Sequence, residues 1–163
     1  RVHILPYLGQ KELYRQFHLN ESWDSPHNIK LVARMPDVFS IEEGLREGQT
    51  TIHAFTGQAT PIGSSRPLKF LDFYEGDSSA MTIMLIAAGR ETADIWTKPG
   101  GITFDSSTSL SAVGTISNDL LVVMCDSSTR RLPADITIER LSELIQWNDG
   151  QPSSKQASAV FVR

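Results

Sequence analysis

Apolar and polar positions change rhythm often along this chain, and the changes predict many short elements. The longest strongly apolar run is Leu120 to Cys125, with a second from Met81 to Ala88. Met81–Ala87 is apolar on both sides, which suits a strand at the middle of a sheet, and Leu120–Met124 reads as a buried strand. Alternation predicts a half-buried strand over Asn28–Met35, with Ile29, Leu31, Ala33 and Met35 on one side. A second alternating stretch, Ser109–Ile116, turns at Ser117-Asn118-Asp119 and is expected to form an antiparallel hairpin with Leu120–Met124. The β-branched content of Thr50–Phe55 predicts another strand. Leu68–Tyr74, Thr92–Thr97 and Ala157–Val162 are also strand-like, and Val2–Leu8 reads as a short strand interrupted by Pro6.

Helical spacing appears in three places. Leu13, Phe17 and Tyr14 predict a short helix within Gln10–Leu19. Ser40 and Glu43 match a capping box, which predicts a helix running to Glu47 and stopping at Gly48. Ile138, Leu141, Leu144 and Ile145 predict an amphipathic helix over Ile136–Trp147, capped by Asp135 or Thr137 and ended by Asn148-Asp149-Gly150. Asn20–His27, Gly57–Pro67 and Pro99-Gly100-Gly101 are read as loops and turns, and Gln151–Gln156 as a polar linker.

About eight strands in succession, with two or three peripheral helices, predict an α+β, β-rich fold. Its sheet would be mainly antiparallel, or a β-sandwich, rather than doubly wound. The 163 residues are expected to form a single β-rich domain, 1–163. The chain starts at Arg1 rather than Met and stops just after a strand-like segment, which reads as a piece excised or processed from a longer polypeptide.

Composition narrows the class. With 40% hydrophobic and 21% charged residues the chain has enough apolar side chain for a packed core. A net charge of −4, with Arg130-Arg131 as its one basic doublet, argues against nucleic acid as a partner. No apolar run approaches the roughly 20 residues of a membrane-spanning helix, and no N-terminal signal pattern is present, so membrane insertion is not expected. Cys125 is the sole cysteine, so no intrachain disulfide holds the fold.

Candidate chemistry is sparse. The strings Gly76-Asp77-Ser78-Ser79, Asp105-Ser106-Ser107-Thr108 and Asp126-Ser127-Ser128-Thr129 repeat one local pattern at strand edges. Asp and Ser side chains bond nearby backbone amides, so turn chemistry explains them. The sharper reading is that Asp77, Asp105 and Asp126 line loops that bind a polar ligand or calcium, with Trp23 as an aromatic anchor. Cys125 would need a base such as His27 or His53 to act as a nucleophile. Asp24-Ser25-Pro26-His27 holds an acid and a base in one loop, but a turn held by Asp24 and Pro26 accounts for it better. No zinc, phosphate-loop, dinucleotide or nucleophile-elbow motif is found, so neither a cofactor nor a metal is expected.

The leading expectation is a non-enzymatic interaction module that meets protein partners or copies of itself within a larger assembly. A surface-projecting domain of a viral coat protein belongs to this class. The alternatives are a small hydrolase or transferase using a Cys or Ser nucleophile with His, and a carbohydrate-binding domain using Trp23 and the Asp-Ser-Ser loops.

Overall fold

The computed structural model describes residues 1–63, 69, 81–105, 107–116, 118–147 and 161. The chain divides into two compact units. The first is Arg1–Thr51 with Ala93–Gly100, and the second is Ile52–Thr92 with Gly101–Arg163. Among the described residues, eight short strands, two α-helices and several 3-10 helices give an α+β, β-rich fold whose main sheet is antiparallel.

One extended stretch feeds both units. Thr50–Phe55 is not a single strand but part of three successive pairings. β1 (Gln49–Thr50) is followed by β2 (Ile52–His53) and β3 (Phe55–Thr56). β4 (Ile83–Ala87), β5 (Asp94–Ile95) and β6 (Ile102–Thr103) supply their partners. β1 pairs antiparallel with β5, β2 pairs antiparallel with β4, and β3 pairs parallel with β6. The backbones approach closely at the parallel pair. A Cβ on Gly101 would stand 2.1 Å from the Ala54 carbonyl oxygen, and one on Gly57 would stand 2.2 Å from that of Phe104.

β7 (Leu120–Met124) and β8 (Thr129–Leu132) complete the four-stranded sheet of the second unit, in the order β2-β4-β7-β8. The two most apolar strands therefore lie inside it, where both backbone edges are paired. Leu120, Val122 and Met124 alternate into the core. β8 was not anticipated. Its sequence, Thr-Arg-Arg-Leu, buries Leu132 alone, as suits an edge strand with charged side chains.

The hairpin partner of β7 is β8, not Ser109–Ile116. Ser127 N–H donates to the Met124 carbonyl at 2.9 Å and Met124 N–H donates to that of Ser128 at 2.8 Å, closing a tight loop with Ser127 at φ 69°. Residues Leu110–Val113 instead form a 3-10 helix that buries Val113. Leu110 and Val113 are three apart, the repeat at which 3-10 side chains eclipse, and that spacing overrides the period-two alternation.

The second helix, α2 (Ile138–Ile145), turns Leu141, Leu144 and Ile145 into the same core as Phe55, Ile83 and Ile86. Each such buried aliphatic side chain contributes roughly 2 kcal/mol of transfer free energy. The Thr137 side chain caps it by accepting the Arg140 N–H.

The first unit is built mostly from 3-10 helices and turns. Val2–Leu8 is a 3-10 helix and not a strand, with Pro6 inside it and Gly9 at φ 74° closing it. Asn28–Arg34 is likewise a 3-10 helix, with Asn28 and Leu31 as its buried residues, three positions apart. The expected Ser40–Glu47 helix is absent; that stretch is exposed turns, and a 3-10 helix at Asp37–Phe39 precedes it. Gly44 at φ 71° interrupts any helix there. α1 (Lys11–Tyr14) is the short remainder of the expected Gln10–Leu19 helix.

Trp96 centres this unit at 0% exposure. Phe17 meets it edge-on at 5.9 Å between ring centroids, and Phe39 stacks at 5.5 Å. Its indole N–H donates to the Val32 carbonyl at 2.8 Å. Leu68–Tyr74, Asn148-Asp149-Gly150 and the linker at Gln151–Gln156 lie outside the described residues, as does all of Ala157–Val162 except Phe161. Among the described residues no helix is long and apolar enough to cross a membrane.

Candidate functional site

The most structured polar cluster is the loop between α1 and the Asn28–Arg34 helix. Asn28, 3% exposed, holds it together. The Asn28 carboxamide oxygen accepts the His18 N–H at 3.0 Å. Its Nδ2 donates to the carbonyls of His18 at 3.0 Å and Ser22 at 2.9 Å. One donor and two acceptors opposite this amide leave a single consistent orientation for it.

This staple folds the loop so that His18 and His27 stack face to face, 3.6 Å apart and 3° from parallel. The His27 Nε2 lies 2.7 Å from the Gln16 carbonyl, and the His18 Nδ1 lies 2.8 Å from Glu21 Oε1. Neither oxygen can donate, so each of those ring nitrogens carries the hydrogen. The Ser25 hydroxyl, then His18, hold the Glu21 carboxyl below the ordinary glutamate range. Ser22 donates its hydroxyl to Asp24, so the expected turn at Asp24-Ser25-Pro26-His27 is present.

A cavity of about 190 Å³ opens beside this loop within the first unit. Phe17, His18, Glu21, Trp23, Thr97 and Pro99 contribute to its walls. Trp23 is half-buried and lines this cavity.

Asp105 and Asp126 lie in the second unit, and Trp23 in the first. The Asp105 Oδ1 accepts the Ser107 N–H at 2.8 Å and its hydroxyl at 2.6 Å. Asp126 repeats the arrangement on Ser128, at 2.8 and 2.6 Å. The Ser107 and Ser128 hydroxyls are the main reason that both carboxyls stay below the ordinary aspartate range. These carboxylates therefore serve their own turns. Asp105 also lines a wider groove of about 580 Å³ with Phe104, Glu139 and Ser142. Asp77 lies outside the described residues. Among the described residues no three His, Cys, Asp or Glu side chains converge to hold a metal ion.

Cys125 follows β7 directly and is half-buried. His53 is buried on β2, opposite Ile86, and Ile86 is opposite Val122. Two strand spacings across and three residues along place the Cα atoms of His53 and Cys125 about 14 Å apart, beyond side-chain hydrogen-bonding reach. His3, His18 and His27 belong to the first unit.

Sequence reading missed the Asn28 staple, the His18–His27 stack and Thr97. A polar residue three positions before Leu31 was the available signal for the first. The stack joins residues nine positions apart and had none. Comparison with protein-family models, curated proteins and solved structures gave no match.

Proposed function

We propose that the chain is a non-enzymatic interaction module that associates through the apolar face of its N-terminal 3-10 helix, with copies of itself as the first partner to test. The observation that carries this reading is the exposure of Ile4 (44%), Tyr7 (88%) and Leu8 (38%) on one short helix whose buried residue is Leu5. Ile4 and Tyr7 are three apart and eclipse on a 3-10 helix, so they present one ridge. No Asp, Glu, Lys or Arg occurs within Val2–Leu8, and interface centres are depleted of charge in the same way. Pro6 stiffens the ridge, which lowers the ordering cost of docking. Tyrosine combines large contact area with few rotatable bonds, and it is enriched at binding hot spots.

Leu19, Ile29, Val38 and Ile41 are also exposed in the first unit, whereas Ile62 is the one exposed large apolar residue named in the second among the described residues. Association is therefore assigned to the first unit. A projecting coat domain is the special case in which the parent assembly is a closed particle.

Light scattering over protein concentrations up to roughly 0.1 mM tests the proposal, because weak homodimers populate in that range. The expected result is a mass that rises with concentration and stays monomeric in the Ile4→Ser/Tyr7→Ser double variant. A monomer throughout, or association that the double variant leaves unchanged, refutes it.

A further inference from the structure

Thr97 carries an observation that self-association does not use. It is 6% exposed, and its hydroxyl is buried without a hydrogen-bond partner. Buried polar atoms are nearly always paired, and an unpaired one is costly to the fold. Valine has the same shape and would avoid that cost. Thr97 also lines the cavity of about 190 Å³ beside the Asn28-stapled loop. A residue of the cavity wall that keeps a buried, unpaired hydroxyl against its own stability is suited to a ligand toward which that hydroxyl can turn to complete its hydrogen bond.

The other walls specify the ligand. Trp23 and Phe17 offer aromatic surface, and Pro99 adds a flat apolar ring. His18 gives its Nδ1 hydrogen to Glu21, so in the neutral ring Nε2 is an acceptor. The Glu21 carboxylate accepts only. Arg1 also borders the cavity, but its Nη1 points to the carbonyls of Trp96 at 3.4 Å and Lys98 at 3.3 Å, which disfavours a dedicated anion site. The lining thus combines apolar faces with acceptors and one buried hydroxyl. A molecule with a C–H face and several O–H donors matches them. At about 190 Å³ the cavity is somewhat larger than the ~150 Å³ cavity that holds benzene, which suits one ring rather than an extended chain.

We propose that this cavity is a binding site for a single neutral pyranose sugar, which stacks on Trp23 and hydrogen-bonds to Thr97, Glu21 and His18. The site lies in the first unit and does not involve the Asp-Ser-Ser turns. Val2 and His3 of the N-terminal helix border the cavity, but the exposed Ile4 and Tyr7 on which self-association rests do not line it.

Saturation-transfer NMR with the methyl glycosides of glucose, galactose, mannose and N-acetylglucosamine tests it on the whole chain. Transfer is expected to ring C–H protons of at least one glycoside, and to vanish in Trp23→Ala. Thr97→Val is expected to weaken binding about tenfold, the loss of one hydrogen bond, while raising the melting temperature. That opposite movement of affinity and stability separates a ligand-directed hydroxyl from a structural one. Absence of transfer from all four glycosides overturns the proposal. So does transfer that both variants leave unchanged, or a Thr97→Val protein that melts lower than the parent.

Discussion

Replacing Asn28 with alanine removes three hydrogen bonds at one buried point. The donors and acceptors left behind are the His18 N–H, the His18 carbonyl and the Ser22 carbonyl. A neutral intramolecular hydrogen bond contributes about 1 kcal/mol net, so the expected loss is about 3 kcal/mol, or roughly 150-fold in the folding equilibrium. With a urea dependence of about 2 kcal/mol per molar, the midpoint should fall by about 1.5 M. Tryptophan fluorescence reports this directly, because Trp23 lies within the stapled loop and Trp96 at the centre of the same unit. Asn28→Asp keeps an acceptor for the His18 N–H but turns a carboxylate toward two carbonyls, so its loss should be at least as large. A loss below about 1 kcal/mol for Asn28→Ala would refute the staple, since water would then be satisfying those backbone groups equally well.

Three further outcomes are expected beyond those attached to Ile4/Tyr7 and Thr97/Trp23. Ser127→Gly should stabilise the chain by about 1 kcal/mol in the same urea titration, because Ser127 sits at φ 69° in a hairpin loop that favours glycine there. Asp105, Asp126, Glu21 and Glu91 all have carboxyls held below their ordinary values of 3.8 for Asp and 4.5 for Glu, chiefly by Ser107, Ser128, Ser25 and Thr115 hydroxyls. The unfolded chain therefore binds more protons than the folded one just below those values. Stability should be constant above about pH 5 as far as these groups are concerned, and fall as pH drops through 4.5 and below. Melting temperatures measured from neutral pH downward check this, and an Asp126→Asn variant should lose part of the acid dependence.

What the sequence disclosed followed the strength of the local signal. β4 and β7 were legible because continuous apolar runs need cover on both faces. α2 was legible because Leu141, Leu144 and Ile145 repeat at helical spacing behind the Thr137 cap. The Asp-Ser-Ser turns were legible because their bonds reach only two or three residues. Asn28–Arg34 and Leu110–Val113 were misread because a 3-10 helix repeats every three residues, and over so few positions that repeat resembles alternation. Ile29, counted among the buried residues of a strand, is 43% exposed as a result. β8 was invisible because its stability comes from Leu121, Val122 and Val123 across the ladder, not from its own side chains. The cavity draws walls from both segments of the first unit, and no local pattern announces such a meeting.

Those two segments also order events during synthesis. The first unit's central side chain, Trp96, sits in the later segment, and roughly 40 residues of the second unit are translated before it. At 5 to 20 residues per second, that interval is about 2–8 s. Throughout it Phe17 and Phe39 wait on the nascent chain without the ring that will cover them. The amino-terminal segment is therefore translated first but cannot close until Trp96 has been made, and it is during this interval that a chaperone would have apolar surface to bind.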